Sequence, residues 1–182
     1  MSFIADLANR KRYFSLAAGV ILLDQATKIL AHALLPGRDA VVVIPGFMNL
    51  AYSRNPGGLF GLFGTWGVAW RTTLLTLLPV AAVILIGLFL ARTREQDRRT
   101  LFGLAMILGG AVGNLIDRVL RGEVVDFLDV YAPGQTLANW FVKQFGTAHW
   151  PTFNIADSAI VLGAGLLMLD ILFPGRPAAL ED

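Results

Sequence analysis

The sequence of 182 residues contains no cysteine. That excludes disulfides, thiolate metal sites and a cysteine nucleophile. Charge is also scarce. Charged residues make up 15% of the chain against 55% hydrophobic, and the mean hydropathy is +0.63. A soluble domain carries about 25% charged residues, so this balance points to a membrane protein. The net charge of +2 comes with no basic stripe interleaved with aromatics, which sets nucleic acid aside. Of the two histidines, His32 and His149, neither has a His or Glu partner at metal-ligand spacing, so no metal or other cofactor is expected. The four serines (Ser2, Ser15, Ser53, Ser158) lie in no Gly-x-Ser-x-Gly elbow. Carboxylates are what remains for chemistry.

Long apolar runs are plentiful. A helix needs ~20 apolar residues to cross the hydrocarbon, and four segments qualify or nearly do, at 13–35, 68–91, 100–120 and 156–173. The first is too long for a signal-peptide core, carries Asp24 and Lys28, and lacks a small-x-small cleavage site. The expected fold is a single all-α membrane domain over 1–182, with four transmembrane helices, a small outer β-element and an interfacial helix or loop. Arg10, Lys11 and Arg12 precede the first span. Arg92, Arg94, Arg98 and Arg99 crowd the loop between the second and third, and Arg176 follows the fourth. Positive residues stay inside, so both termini and that loop are expected to be cytoplasmic. The connections 36–67 and 121–155 then face outward.

In the first of these, residues 41–44 and 47–52 look like two short strands around Pro45-Gly46. Asn55-Pro56-Gly57-Gly58 breaks the pattern. The run "LFGLFGTWGVAW" that follows suits either the headgroup zone or an ordinary connector.

Polar groups inside spans are costly and usually face a bundle interior or a site. Asp24 and Lys28 stand i, i+4 on the first helix, ~16 and ~22 Å in from residue 13. They are either a neutralising pair that ties helices together or part of a site. Asn114, Asp117 and Arg118 share a face at the outer end of the third span, after Gly109-x-x-x-Gly113, a spacing that lets helices approach closely. Asp117 is expected to pair with Arg118 or another nearby arginine. Asp126 sits among Val124, Val125, Phe127 and Leu128, and Asp157 opens the fourth span. Asp170, near the inner end, is expected to snorkel.

A helix N-terminus favours an aspartate, which is the plain explanation of Asp157. Asn154, three residues earlier, is an alternative cap that would free Asp157 to point inward. Two acids that meet at a membrane surface share a proton and titrate as a pair. The ionised one takes a proton from water, the water attacks a peptide carbonyl, and the protonated one donates to the leaving group. Such a site is that of an aspartyl protease. Asp129 rivals Asp126 in "VVDFLDV", and spacing does not choose between them.

A small transporter or proton pathway through Asp24 and Asp170 is the main rival, and a lipid-binding scaffold is another. Against both, the polar residues concentrate at one membrane face.

The pieces "DQATK" (24–28), "NPGGLF" (55–60), "GGAVGNLIDR" (109–118), "GEVVDF" (122–127) and "FNIADS" (153–158) occur in an order that resembles the type II signal peptidases of bacteria. The resemblance implies a four-helix protein of the bacterial inner membrane with its site facing the periplasm; a monomer is expected, although Gly109-x-x-x-Gly113 would serve packing within one chain as readily as a dimer. It implies Asp126 and Asp157 as the catalytic pair. It implies supporting roles for Asp24, Lys28, Asn55, Gly57, Asn114, Asp117, Arg118, Asn154 and Ala156. The substrate it implies is a prolipoprotein whose cysteine carries diacylglycerol, cut just before that cysteine, and the inhibitor is globomycin. It also selects Asp126 over Asp129, which is then expected to solvate its loop.

On these roles Asp157, held by a helix N-terminus, is expected to be the base and Asp126, in its apolar frame, the acid. Asn114 is a candidate donor to the oxyanion. Asp24–Lys28 and Asp117–Arg118 would brace the helices, and Arg54 or Arg71 could meet lipid phosphate. Two departures stand out. The family's loop motif usually reads Asn-Thr-Gly-Ala-Ala-Phe where this chain has Asn55-Pro56-Gly57-Gly58-Leu59-Phe60. The connection between Asp126 and Asp157 is longer than the family's, and its "TLANWFVKQFGTAHW" reads as a membrane-lying element or a solvated insertion.

Overall fold

The computed structural model describes residues 10–56, 68–93 and 97–173. Gly57, the run that follows it to residue 67, Arg94, Arg176 and the side chain of Arg71 lie outside the described residues. In chain order the elements are α1 (Lys11–Leu34), β1 (Val41–Ile44), β2 (Met48–Asn55), α2 (Val68–Arg92), α3 (Arg98–Arg121), β3 (Val124–Val130), α4 (Gln135–Phe145) and α5 (Ile155–Leu172). Among the described residues α1, α3 and α5 are long and apolar enough to cross a membrane, and α2 holds a shorter apolar stretch, Thr76–Arg92. Their outward faces carry bare hydrophobes such as Leu22, Leu23, Ile29, Val161, Leu162 and Ile171. Water would not tolerate that surface, whereas lipid tails do.

The centre of the bundle is α3, and glycine puts it there. A Cβ at Gly109 would meet Val20 and the Ala17 carbonyl of α1 at 2.7 and 2.8 Å, and one at Gly110 would meet the Ala156 carbonyl of α5 at 2.3 Å. The 109–113 pair therefore does bring helices together, with α1 on one side of α3 and α5 on the other. Lower down, Tyr13, Ala17, Leu90, Leu101, Leu104, Ala105 and Leu108 form the apolar core where α1, α2 and α3 meet.

Gly122, with φ +76, caps α3 in the left-handed region and turns the chain directly into β3. The antiparallel sheet runs β1-β2-β3, with Ser53 opposite Asp126 and Arg54 opposite Val125. The two early strands were expected, although β2 runs to Asn55. The third was not, because β3 pairs with a strand about 70 residues away and only its apolar composition is local. A smaller core of Ala31, Leu35, Val125 and Phe127 seats the sheet on the end of α1.

Beyond β3 the chain makes an excursion through α4. Its neck is closed by Trp150 N–H to the Val130 carbonyl (2.8 Å) and Ala132 N–H to the Ala148 carbonyl (2.9 Å). Phe153 then bonds Phe127 and Leu128 through its carbonyl (3.0 and 2.8 Å), and its N–H reaches the Leu128 carbonyl at 3.1 Å. Much of this connection is thus a helix with exposed Leu137, Trp140 and Val142. Asn154 emerges beside Asp126.

Candidate active site

Asn154 is the N-cap of α5. Its side-chain oxygen accepts from Asp157 N–H at 2.9 Å, while Asp157 Oδ2 accepts from Asn154 N–H at 3.3 Å, a reciprocal capping box. Asp157 therefore caps and reaches inward at once, one oxygen for each task. Its Oδ1 accepts from Asn114 Nδ2 at 2.7 Å. The Asn154 amide nitrogen turns to the other acid and donates to Asp126 Oδ1 at 2.7 Å, with longer contacts to the Val125 carbonyl and to Asn114 Oδ1. Asn55, at the end of β2, donates to Asp126 Oδ2 at 3.1 Å. So two acids, one on a strand and one on a helix, are each clasped by one of two asparagines that also touch each other.

Asp126 is buried. Burial pushes its carboxyl up to about 6, and the nearby charge of Asp157 pushes the same way, against the hydrogen bonds from Asn55 and Asn154 and the charge of Lys28.

Beneath the pair lies a closed ionic network. Lys28 Nζ reaches Asp24 Oδ2 (2.9 Å), Asp117 Oδ2 (3.2 Å) and Asn114 Oδ1 (2.8 Å), using all three donors. Asp24 Oδ1 accepts from Ala156 N–H at 2.9 Å, so an acid of α1 satisfies a free N–H at the start of α5. Asp117 Oδ2 accepts from Val125 N–H at 3.1 Å, one residue before Asp126. Asp24, Lys28 and Asp117 have no exposed surface. Gln25 stitches the group together, donating to the Gly113 carbonyl (3.0 Å), Asp24 (3.1 Å) and Asp117 (3.2 Å).

Several sequence expectations change here. Of the two expected pairings of Asp117, the one with Arg118 does not form and the one with a nearby arginine does. The partners of Asp117 are Lys28 and Arg121, because residues four apart face each other on a helix and adjacent ones do not. Arg118 instead has its Nε buried without a hydrogen-bond partner among the described residues, and the charges acting on it are those of Asp157, Asp126 and Asp117. Asn114 is engaged through both side-chain atoms, although its amide nitrogen carries two hydrogens and gives one of them to Asp157. Its nitrogen holds Asp157 and its oxygen accepts from Lys28 and Asn154.

Asp129 does not solvate a loop. It is buried, accepts from Asn49 Nδ2 at 3.2 Å and meets His149 Nδ1 at 2.7 Å. It lies three residues from Asp126, so strand alternation turns it to the opposite face. Arg54 pairs with Glu123. Asp170 does not snorkel alone, since it accepts from the Thr100 hydroxyl of α3. Gln25 and Arg121 were missed, and helical spacing from Asp117 was the signal that could have found Arg121.

Two solved structures, both described as bacterial membrane enzymes studied by the in meso method, share this architecture. One is 28% identical with a TM-score of 0.73 over 91% of this chain and 95% of its own. The other is 27% identical with a TM-score of 0.71 over 92% and 94%. The fold and its buried polar site thus define a bacterial type of integral membrane enzyme. Residues 16–173 match the family described as Signal peptidase (SPase) II. The lipoprotein signal peptidase of Solibacter usitatus (strain Ellin6076) is 42% identical over 93% of this chain and 96% of its own length, and that of Syntrophus aciditrophicus (strain SB) is 39% identical over 87% and 91%. The chain belongs to the signal peptidase II family, and it is a peptidase.

Proposed function

We propose that the activity of this family, removal of the signal peptide from prolipoproteins, is performed in this chain by Asp126 and Asp157. The observation that carries the assignment is the asparagine clasp, in which Asn114 fixes Asp157 and Asn154 fixes Asp126, each at 2.7 Å. Asp157 retains its backbone partner at the N-terminus of α5. It takes a proton from a water, and that water attacks the carbonyl of the residue preceding the substrate's cysteine. Asp126, whose burial favours the protonated form, gives its proton to the departing amine, and the peptide bond breaks. Asn55 and Asn154 hold the acid in place, and the guanidinium of Arg118 limits the negative charge that accumulates on the pair. Asp24, Lys28, Asp117 and Ala156 fix α1, α3 and α5 to one another beneath it.

The substrate carries a diacylglyceryl cysteine, and globomycin occupies the same site as an inhibitor. The chain works as a monomer in the bacterial inner membrane, with α1, α2, α3 and α5 as four spans. Both termini are cytoplasmic and the acids face the periplasm. The arginine-rich connection between α2 and α3 and the basic start of α1 support this orientation.

The test is cleavage of a diacylglyceryl-modified prolipoprotein by detergent-purified protein, with folded Asp126→Asn and Asp157→Asn variants alongside. Both variants are expected at background. Near wild-type cleavage by Asp157→Asn would reduce that residue to a helix cap and end the two-acid mechanism.

A further inference from the structure

The face of the sheet turned away from Asp126 borders a small cavity. Ser53 and Asn55 point with Asp126, so strand alternation sends Tyr52, Arg54, Glu123 and Val125 the other way. With His32 from the last turn of α1 and Arg121 from the end of α3, these residues line a cavity of about 220 Å³. Its polar groups come ready paired. Arg54 lies against Glu123, Arg121 against Asp117, and the His32 ring meets the Tyr52 hydroxyl at 2.7 Å.

Two features of this lining bear on what it takes. The first is charge balance: each arginine has an acid beside it, so a bare anion would have to strip one arginine of its partner and leave a carboxylate facing it. A ligand that carries an anion and a cation a few atoms apart avoids that penalty. Its anion takes the arginine while its cation takes the acid, so one ion pair becomes two. The second is accessibility. The Arg54 side chain is 57% exposed and Glu123 22%, and an exposed pair of this kind holds weakly enough to open. Guanidinium geometry suits two phosphate oxygens at once. The Tyr52 and His32 pair adds an O–H or N–H donor beside it. The cavity is small for a whole lipid or peptide and suited to a headgroup.

We propose that this cavity binds a phosphate joined through a short linker to a primary ammonium, the chemistry of a phosphatidylethanolamine headgroup. Arg54, with Tyr52 or His32, takes the phosphate, and Glu123 takes the ammonium. The position of His32 and Arg121 at the helix ends nearest the sheet sets the site at headgroup level, which rests on the orientation proposed above. A lipid seated here lies directly behind the strand that carries Asp126. Arg121 and Asp117 link it to Val125 N–H, one residue before that acid.

Native mass spectrometry of the detergent-purified protein tests this, with equal amounts of phosphatidylethanolamine, phosphatidylcholine and phosphatidylglycerol of the same acyl chains. Choline offers no N–H to Glu123, and glycerol offers no cation. The wild type is expected to retain phosphatidylethanolamine about tenfold over the other two, the size of one charge-assisted hydrogen bond. Glu123→Gln should erase that preference, and Arg54→Gln should lower retention of all three lipids. Equal retention by wild type removes the lipid as the source of that chemistry, and an unchanged preference in both variants overturns the proposal. A second arm follows free O-phosphoethanolamine by phosphorus NMR. Binding there without lipid preference makes the ligand water-borne, and binding in neither arm overturns the site. Detergent imposes no sidedness, so a failure here counts against the cavity, while membrane orientation is decided separately by labelling the termini in sealed vesicles.

Discussion

Gly110→Ala adds a single methyl group where α3 and α5 cross. Its Cβ would stand 2.3 Å from the Ala156 carbonyl oxygen and 2.8 Å from Ile160 Cγ1, against an ordinary contact distance of 3.4 Å or more. The carbonyl belongs to helix backbone and cannot rotate aside, so the helices must part by about 1.1 Å, the shortfall between 3.4 and 2.3 Å. Overpacking of this kind costs about 1–3 kcal/mol. The catalytic consequence is larger, because Ala156 directly precedes Asp157 and α3 carries Asn114. Parting the helices by that distance breaks the 2.7 Å bond between Asn114 and Asp157. A misplacement of about 1 Å at a reacting group costs on the order of 100-fold in rate.

The assay is prolipoprotein cleavage per folded molecule, with a thermal melt on the same preparation. Gly103→Ala is the control. Its Cβ would meet the Gly163 carbonyl of α5 at 2.9 Å, but about 10 Å further down the same helix pair. It should lower the melting temperature and spare the rate. Gly19→Ala, with nothing within 4 Å, should leave both unchanged or gain about 0.5–1 kcal/mol of stability. If Gly110→Ala matches wild type in rate, or Gly103→Ala loses rate equally, the helix crossing does not set the catalytic geometry.

Lys28→Met leaves Asp24 and Asp117 buried without their shared cation, which should destabilise by about 3–5 kcal/mol and deplete folded protein in a detergent size-exclusion profile. Asp126, raised from 3.8 to about 6, binds a proton in the folded state that the unfolded chain has released. Its contribution to stability is therefore full below about pH 4 and is lost as pH rises through about 6, so Asp126→Asn should melt higher than wild type at pH 7.5, with the gap closing toward pH 5. The same titration predicts that cleavage declines above about pH 6 as the proposed acid loses its proton, visible in the pH profile of kcat/KM, which reports the free enzyme. Asp129→Asn should retain cleavage, because that side chain meets Asn49 and His149 on the other face of β3, and loss of activity equal to that of Asp126→Asn would contradict the assignment.

Much of this was legible in the sequence because it is local. The apolar runs gave helices within two residues of the observed ends, and Asn154 three residues before Asp157 announced the cap. What the sequence hid is what depends on distant partners. Residues 124–130 read as an apolar frame around an acid, and they become a strand only by pairing with β2. Nothing local marks Gln25, whose bonds to Gly113 and Asp117 span some 90 positions. Of the two alternatives for Asp117, Arg118 or a nearby arginine, the four-residue helical repeat favours the second, Arg121, without any tertiary information. Asp129 was misjudged because its partners, Asn49 and His149, lie 80 and 20 residues away.

The backbone bonds of Phe153 to Phe127 and Leu128 have a consequence for the chain between the two acids. They tie the knot on the near side of α4, so the rope beyond it can be long or short without shifting either end. Residues 133–147, beyond the Ala132–Ala148 bond, are a free loop in that sense, and lengthening such a loop costs only about 0.6 kcal/mol per doubling. Relatives of this chain can therefore differ widely in what they carry over this opening while Asp126 and Asp157 stay in register, and a grafted tag or a trimmed turn at 133–147 has the same freedom.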